Sequence, residues 1–223
     1  MGADGLILFT GPARIRLFNA DGSEAELSGN GARCAAAALI DENRAGETPA
    51  IETQAGVRQL RLLERRGNRY RFEMGMGRPS YSPEEVGYLL TTSGGPRQVT
   101  IVNVGNPQCA LLVENFEFDW RSLGREIESH PHFPRRTNVS FTRILDRHTI
   151  EARFWERGAG ETPSSGTGAT GAVVAAGLAG RVESPVRVIT QDGELDVEWN
   201  QEWSLRGPAE LTARGQYYWP ADA

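Results

Sequence analysis

The 223-residue chain contains no lysine, and all 24 of its basic residues are arginine. A pyridoxal-phosphate enzyme needs a lysine amine to form its Schiff base, and so does a lysine-dependent aldolase. Both enzyme classes are therefore excluded. The arginines alternate with acidic and apolar residues along the chain, and the net charge is −5. Because nucleic-acid binding needs a concentrated basic surface, we expect no nucleic-acid partner.

Cysteines and long apolar runs are also scarce. The two cysteines, Cys34 and Cys109, are too few for a disulfide framework, and neither stands at metal-ligand spacing from another cysteine or a histidine. We interpret them as reduced thiols in packed positions and expect no metal. No apolar run approaches the ~18–20 residues of a membrane helix, and the amino terminus lacks the pattern of a secretory signal. From these absences we expect no membrane partner and a cytoplasmic location.

A glycine-rich motif is present twice, at residues 28–32 (Ser-Gly-Asn-Gly-Ala) and 165–169 (Ser-Gly-Thr-Gly-Ala). Each copy precedes a run of small apolar residues, which predicts a helix that begins there. The first N–H groups of such a helix are uncovered and, together with the helix dipole, favour an anion. If the two halves of the chain face each other, a small carboxylate would lie between two helix N-termini, with Ser28 and Ser165 on opposite sides. Taken alone, either serine is equally explained as an ordinary N-cap.

Alternating runs in the rest of the chain favour β-strands. They lie at residues 14–18, 57–63, 69–74, 98–104, 149–155, 186–190 and 195–199. An amphipathic third helix is expected at residues 119–127. The stretch 79–96, rich in proline, serine and glycine, is the expected linker between two domains. The sequence thus predicts an α+β fold with few helices, in which each domain holds a mostly antiparallel sheet around one helix.

Five motifs together resemble the diaminopimelate epimerase family, and they follow the family's order. In chain order they are residues 19–24, 28–34, 105–107 (Gly-Asn-Pro), 138–139 and 156–169. The resemblance covers nearly the whole chain and implies two similar α/β barrel-like domains, each a cupped sheet around a central helix. We place the first domain at residues 1–82 with 209–223, and the second at 83–208. A racemase site without a cofactor would lie in the cleft between them, and we expect a homodimer.

The resemblance also implies a role for each motif. One catalytic residue takes the α-proton of an amino acid while a second delivers a proton to the opposite face, and by position these are Ser28 and Ser165. The substrate carboxylate would be held by the backbone N–H groups of Gly29, Asn30, Gly166 and Thr167. The distal end of the substrate would contact Asn19, Asn106, Asn138 and Arg157, with Glu156 near its ammonium group. Arginine suits a bidentate carboxylate, and amides orient a ligand without adding charge.

The sequence departs from the family pattern where the chemistry would occur. Ser28 and Ser165 stand where the family has its catalytic cysteines, and Gln108 stands where a histidine is expected after Gly-Asn-Pro. The family's opening segment, roughly 40 residues with an asparagine-bearing substrate loop, is expected to have no counterpart in this sequence.

The exchange of cysteine for serine changes the cost of ionisation. A thiol of pKa ~8.5 needs only about 2 kcal/mol to ionise at neutral pH, whereas a hydroxyl as weak as water, pKa ~15.7, needs on the order of 12 kcal/mol. A serine can therefore act as a base only with a second base beside it. We expect none, because the three histidines, His130, His132 and His148, lie outside the motifs.

Three functions remain open at this point. The first is an isomerase of the diaminopimelate epimerase type, which inverts the α-carbon of an amino diacid substrate. The second is a dehydratase of a hydroxy-amino acid, because β-elimination needs one base and a leaving group. The third is a pseudoenzyme that binds a small amino acid between the helix ends. Exchange of the α-proton for deuterium in heavy water distinguishes the two enzymes, which both remove this proton, from a pseudoenzyme that only binds the amino acid.

Overall fold

Both glycine-rich motifs begin α-helices, as the sequence predicts. The computed structural model describes residues 5–200, 202–216 and 218; residues 1–4 and 219–223 of the predicted first domain lie outside this part, as do residues 201 and 217. Its three α-helices are α1 (Gly29–Asp41), α2 (Trp120–Glu128) and α3 (Gly166–Leu178). Helix α2 matches the helix predicted at 119–127, and the Asp119 carboxylate caps it by accepting a hydrogen bond from Ser122 N at 3.0 Å. None of the helices in the described residues is long and apolar enough to cross a bilayer.

Fifteen strands surround these helices in the described part of the chain. The first group is β1 (Gly5–Phe9), β2 (Ile15–Asn19), β3 (Glu24–Ala25), β4 (Ala50–Thr53), β5 (Gly56–Arg66) and β6 (Arg69–Gly77). The second group is β7 (Tyr88–Thr92), β8 (Gly95–Asn103), β9 (Pro107–Leu112), β10 (Asn138–Asp146), β11 (Thr149–Glu156), β12 (Gly160–Thr162), β13 (Val186–Thr190), β14 (Gly193–Trp199) and β15 (Trp203–Glu210).

The strands form one small and one large sheet. The small sheet has the order β1-β2-β3, and the large one runs β4-β5-β6-β15-β14-β13-β11-β10-β9-β8-β7, with β12 beside β11. Within the large sheet only the β9–β10 and β11–β13 pairs are parallel, so the prediction of a mostly antiparallel α+β fold is confirmed. The pairing of β15 with β6 joins strands from the two predicted domains into one ladder. The domain boundary itself stays a prediction.

The expected linker at residues 79–96 is not irregular throughout. Its last part forms β7, which pairs with β8 in an antiparallel hairpin whose turn contains Gly94 and Gly95. Leu90 in the middle of β7 is 1% exposed, so the strand contributes to the core. The glycines that favoured a linker belong to the hairpin turn, and the alternation of Leu90 and Thr92 was the period-two signal of a strand.

Helix α3 lies in the centre of the fold. Residues 166–176 are all buried, because a helix of glycine, alanine, threonine and valine is thin enough for strands to enclose it on every side. The main core joins it to α1 and the sheet through Leu39, Phe72, Phe154 and Leu205. A second core packs α2 against β10 and β11 and contains Trp120, Ile127, Phe141 and Trp155. The sheet thus carries α3 and α2 in separate cores.

Candidate active site

The N-termini of α1 and α3 lie against each other. A Cβ placed on Gly29 would be 3.0 Å from Gly166 Cα and 3.4 Å from Thr167 N, and a Cβ on Gly166 would be 3.0 Å from Gly29 Cα. Only glycine allows this approach, because any side chain would push the two helix ends apart. Two positive helix ends therefore converge at one place, which is an arrangement that favours an anion.

Ser28 and Ser165 occupy the same position at these two ends. Each has extended backbone angles and is the N-cap of its helix. Ser28 Oγ accepts a hydrogen bond from Gly31 N at 3.0 Å, and Ser165 Oγ accepts one from Gly168 N at 3.0 Å. The N-cap interpretation thus holds for both serines. It is compatible with chemistry, since the hydroxyl proton of each remains available for another acceptor.

Glu156 provides that acceptor for Ser165. Ser165 Oγ donates to Glu156 Oε1 at 2.6 Å. The expectation that no base lies beside a serine is therefore wrong for Ser165. The pair forms because β11 ends at Glu156 and β12 folds back along it, with Gly160 opposite Glu156, so that the chain returns to the same edge before α3 begins. The base beside Ser165 is thus a carboxylate nine residues earlier in the chain and not one of the three histidines.

A cavity of about 250 Å³ opens beside the helix ends. The predicted site residues in its wall are Asn19, Ser28, Asn30, Asn106, Asn138, Glu156 and Arg157. Apolar residues from β1, β2 and the segment before α1 also line it, among them Leu6, Leu17 and Leu27. Ser165 and Thr167 are each 2% exposed and do not line the cavity, nor do Gly29 and Gly166. The cavity therefore reaches the α1 end directly, whereas the α3 end is covered in this conformation.

Two asparagines position Arg157 at the edge of the cavity. Asn138 Oδ1 accepts from Arg157 N at 3.0 Å, and Asn19 Nδ2 donates to Arg157 O at 3.2 Å. The guanidinium donates to the carboxylate of Glu26 and, through Nη1, to Arg135 O at 3.2 Å. Asn19 and Asn138 thus hold the backbone of Arg157 in place. Glu26 is a site residue that the sequence analysis missed, although its position two residues before Ser28 was visible.

Asn106 and Gln108 form a buried amide pair against α3. Asn106 Nδ2 donates to Thr167 Oγ1 at 3.2 Å, and Gln108 Nε2 donates to Asn106 Oδ1 at 2.7 Å. Gln108 is fully buried, and a Cβ added to Gly171 would lie 3.0 Å from the Cβ of Gln108. Gln108 therefore fixes the orientation of Asn106. Because an amide does not titrate, it supplies no base at this position.

Asn30 connects the N-terminus of α1 to the segment before α3, and Arg33 supports it from the next turn of α1. Asn30 Nδ2 donates to Ser164 O at 2.8 Å, and its Oδ1 accepts from Arg33 Nη2 at 2.7 Å. Arg33 also donates from Nε to Pro208 O at 3.0 Å, and burial lowers the pKa of its guanidinium to about 10. The side-chain amide of Asn30 is thus hydrogen-bonded to Ser164 and Arg33, so its contact with a ligand would be made by its backbone N–H. Arg33 was not predicted as a site residue.

The two cysteines differ in their surroundings. Cys109 is buried in the second core, and burial raises the pKa of its thiol. Cys34 lies in the cavity wall and is accessible from the cavity, so the prediction of a packed position is wrong for it. The protein around the cavity still desolvates the thiol and thereby raises its pKa, while the charge of Arg33 acts in the opposite direction. Both thiols are thus held in the protonated form. Among the described residues, no group of three or more histidine, cysteine, aspartate or glutamate side chains is placed to hold a metal ion.

Solved structures with the same fold define its class. A hydroxyproline epimerase from Agrobacterium vitis superimposes with a TM-score of 0.70 at 16% identity, over 89% of this chain and 69% of that protein. A probable proline racemase from Agrobacterium radiobacter gives 0.66 at 16% identity over 94% and 76%. A phenazine biosynthesis protein of the PhzF family from Bacillus anthracis gives 0.60 at 17% identity over 89% and 78%. The chain therefore has the fold shared by these racemase, epimerase and PhzF proteins.

Sequence comparison identifies the family within that class. The profile of the family "Diaminopimelate epimerase" matches residues 1–81 and 100–212. A diaminopimelate epimerase from Pelotomaculum thermopropionicum is 38% identical over 97% of this chain and 84% of its own length. One from Moorella thermoacetica is 39% identical over 97% and 85%. The chain belongs to the diaminopimelate epimerase family.

Proposed function

We propose that this protein is a cofactor-independent amino-acid epimerase that inverts the α-carbon of an amino diacid such as diaminopimelate. The observation that carries the proposal is the 2.6 Å hydrogen bond from Ser165 Oγ to Glu156, at a helix end that abuts the end of α1. A serine at the catalytic position is then coupled to a carboxylate that can accept its proton. Family membership supplies the reaction class, and the pair supplies a means by which serine can take part in it.

The pair works as a proton relay. A free Ser165 alkoxide at neutral pH would cost on the order of 12 kcal/mol, if the hydroxyl is as weak an acid as water. In the relay, Oγ takes the α-proton of the substrate while its own proton passes to Glu156 Oε1, so that no free alkoxide forms. The α C–H bond breaks, a new O–H bond forms on Ser165, and the electron pair stays on the α-carbon. Ser28 then donates its proton to the opposite face of the α-carbon and is reprotonated from solvent, while Glu156, which lines the cavity, releases its proton to solvent, so that the inversion is complete and the site is reset.

The helix ends stabilise the negative charge of this intermediate. The substrate carboxylate would accept from N–H groups of Gly29, Asn30, Gly166 and Thr167, and charge that develops on the α-carbon delocalises into that carboxylate. Donors fixed in advance at helix N-termini cost little reorganisation during the reaction. Because the cavity reaches only the α1 end in this conformation, binding at both ends requires the cleft to open and close around the substrate.

Other features belong to the same proposal. The distal carboxylate of the diacid would pair with Arg157, whose backbone is fixed by Asn19 and Asn138. We also propose a homodimer in the cytoplasm, with two barrel-like domains at residues 1–82 with 209–223 and at 83–208. These assignments rest on the family resemblance.

Proton exchange in heavy water tests the proposal. The whole chain is incubated in D2O with meso-diaminopimelate, and α-deuteration is followed by NMR and mass spectrometry. We expect deuteration with the wild type and a loss of at least a hundredfold in Ser165→Ala. Ser129→Ala is the matched control, because Ser129 lies at the end of α2 and donates to Arg125 O at 3.0 Å. Binding of the amino acid without deuteration would refute the epimerase and favour a pseudoenzyme, and release of water from a hydroxy-amino acid would favour a dehydratase.

A further inference from the structure

An ion pair between Glu26 and Arg157 spans the cleft. Glu26 lies between β3 and the N-cap of α1, two residues before Ser28, and Arg157 follows Glu156 at the end of β11. Glu26 thus belongs to the segment that carries Ser28, and Arg157 belongs to the segment that carries Glu156, the hydrogen-bond acceptor of Ser165. The guanidinium that the proposed function assigns to a substrate carboxylate is therefore already bound to a carboxylate of the protein.

Arg157 is more tightly constrained by the surrounding protein than Glu26 is. Arg157 is fixed by Asn138 and Asn19 through its backbone and by Arg135 O through Nη1, and its side chain is only 16% exposed. The Glu26 side chain is 39% exposed, and the contact that fixes its backbone is the hydrogen bond from Ala55 N to Glu26 O at 3.1 Å. The carboxylate can therefore turn toward solvent without disturbing the backbone, whereas the guanidinium stays at the cavity.

We propose that Glu26 is a specificity-determining residue, which occupies Arg157 in the empty cleft and is displaced by the distal carboxylate of a dicarboxylic amino acid. The inference rests on the proposed function. One carboxylate replaces another of the same charge and geometry, so the exchange is close to neutral in charge and reversible. A ligand without a distal carboxylate leaves the ion pair intact and gains nothing from Arg157.

The displacement has a definite energetic consequence. The substrate must break a partly exposed ion pair before it gains its own, and such pairs are weak. Removing the charge of Glu26 should therefore tighten binding of a diacid by about fivefold and leave a monocarboxylic amino acid unchanged. A purely structural ion pair would behave differently, since its loss would weaken both ligands together or neither.

Calorimetric titration of the whole protein with two ligands tests the inference. The ligands are meso-diaminopimelate and lysine, which lacks the distal carboxylate but keeps both amino groups. The variant is Glu26→Gln, and Glu26→Asp is a second variant that keeps the charge and shortens its reach to Arg157. Glu24→Gln is the matched control, because Glu24 forms an ion pair with Arg16 in the small sheet, at 2.8 Å, on the same stretch of chain.

The expected result is tighter diaminopimelate binding in Glu26→Gln, a smaller gain in Glu26→Asp, unchanged lysine binding in both, and no change in Glu24→Gln. If the wild type binds both ligands and neither Glu26 variant tightens diaminopimelate selectively, Glu26 does not compete with the substrate, although the proposed function stands. If the wild type binds neither ligand, the proposed function fails and the role of Glu26 falls with it.

Discussion

Replacement of Glu156 by glutamine removes the base of the proposed relay and keeps its shape. Glutamine has the same length as glutamate, and its amide oxygen can still accept from Ser165 Oγ at the present 2.6 Å. The amide cannot take up the proton, so Ser165 could remove the α-proton only by becoming an alkoxide on its own. We therefore expect Glu156→Gln to fold normally, to cap α3 normally and to lose α-proton exchange.

The size of the effect follows from the role of the carboxylate. Loss of a positioned general base typically costs 10²–10⁴ in rate, which is about 3–5 kcal/mol of activation free energy. The assay is α-deuteration of meso-diaminopimelate in D2O by wild type and variant, with ligand affinity measured separately by calorimetry, because Glu156 also lines the cavity and contributes to binding. A fall in the exchange rate at saturating ligand isolates the chemical step from binding.

Glu161→Gln provides the matched control. Glu161 lies on β12 of the same hairpin and pairs with Arg121 at 2.5 Å, away from Ser165. It changes the local charge by the same amount without touching the relay, and we expect exchange close to that of the wild type. The relay is refuted if Glu156→Gln exchanges the α-proton within about threefold of the wild type at saturating ligand, or if the control loses as much as the variant.

Two further predictions concern the helix ends. The double variant Ser28→Cys/Ser165→Cys should exchange the α-proton at least as fast as the wild type in the same assay, because a thiol of pKa ~8.5 ionises at neutral pH for only about 2 kcal/mol without the help of Glu156. Ligand binding without exchange above background would place the defect elsewhere. Gly166→Ala should lower the free energy of unfolding in urea by about 1–3 kcal/mol, since the added Cβ would lie 2.8 Å from Leu205 Cδ2. Gly177→Ala is the control and should not lower it, because its Cβ would lie 3.7 Å from the nearest neighbour. Equal effects of the two variants would argue against close packing of the helix ends.

The features that sequence reasoning predicted well are local. The starts of α1 and α3 follow from a serine, two glycines and a run of small residues, all within one stretch of chain, and α2 follows from its amphipathic pattern. Seven of the eleven residues that the family motifs indicated line the cavity, and their roles stay a prediction. These signals depend on neighbours within a few positions, so no knowledge of the tertiary structure was needed to recognise them.

The features that were missed depend on contacts across the fold. Glu156 meets Ser165 only because a hairpin returns the chain to its starting point, and Glu26 meets Arg157 only because the two halves of the chain come together. The exposure of Cys34 likewise depends on the cavity that forms beside α1. The strand β7 within residues 79–96 was missed for another reason, since glycine and proline mark a hairpin turn as readily as a linker.

The ladder between β6 and β15 limits how the cleft can open. It runs from Trp203 opposite Gly77 to Glu210 opposite Arg69, so the two proposed domains could not separate by translation without breaking its hydrogen bonds. The opening that the proposed function requires would then be a twist about this pair of strands. Because Arg33 of α1 donates to Pro208 O on β15, α1 is tied to this pair of strands, and such a twist would move Ser165 relative to Ser28. Substrate entry would thus depend on a twist of β6 and β15, the same two strands whose pairing makes the large sheet continuous.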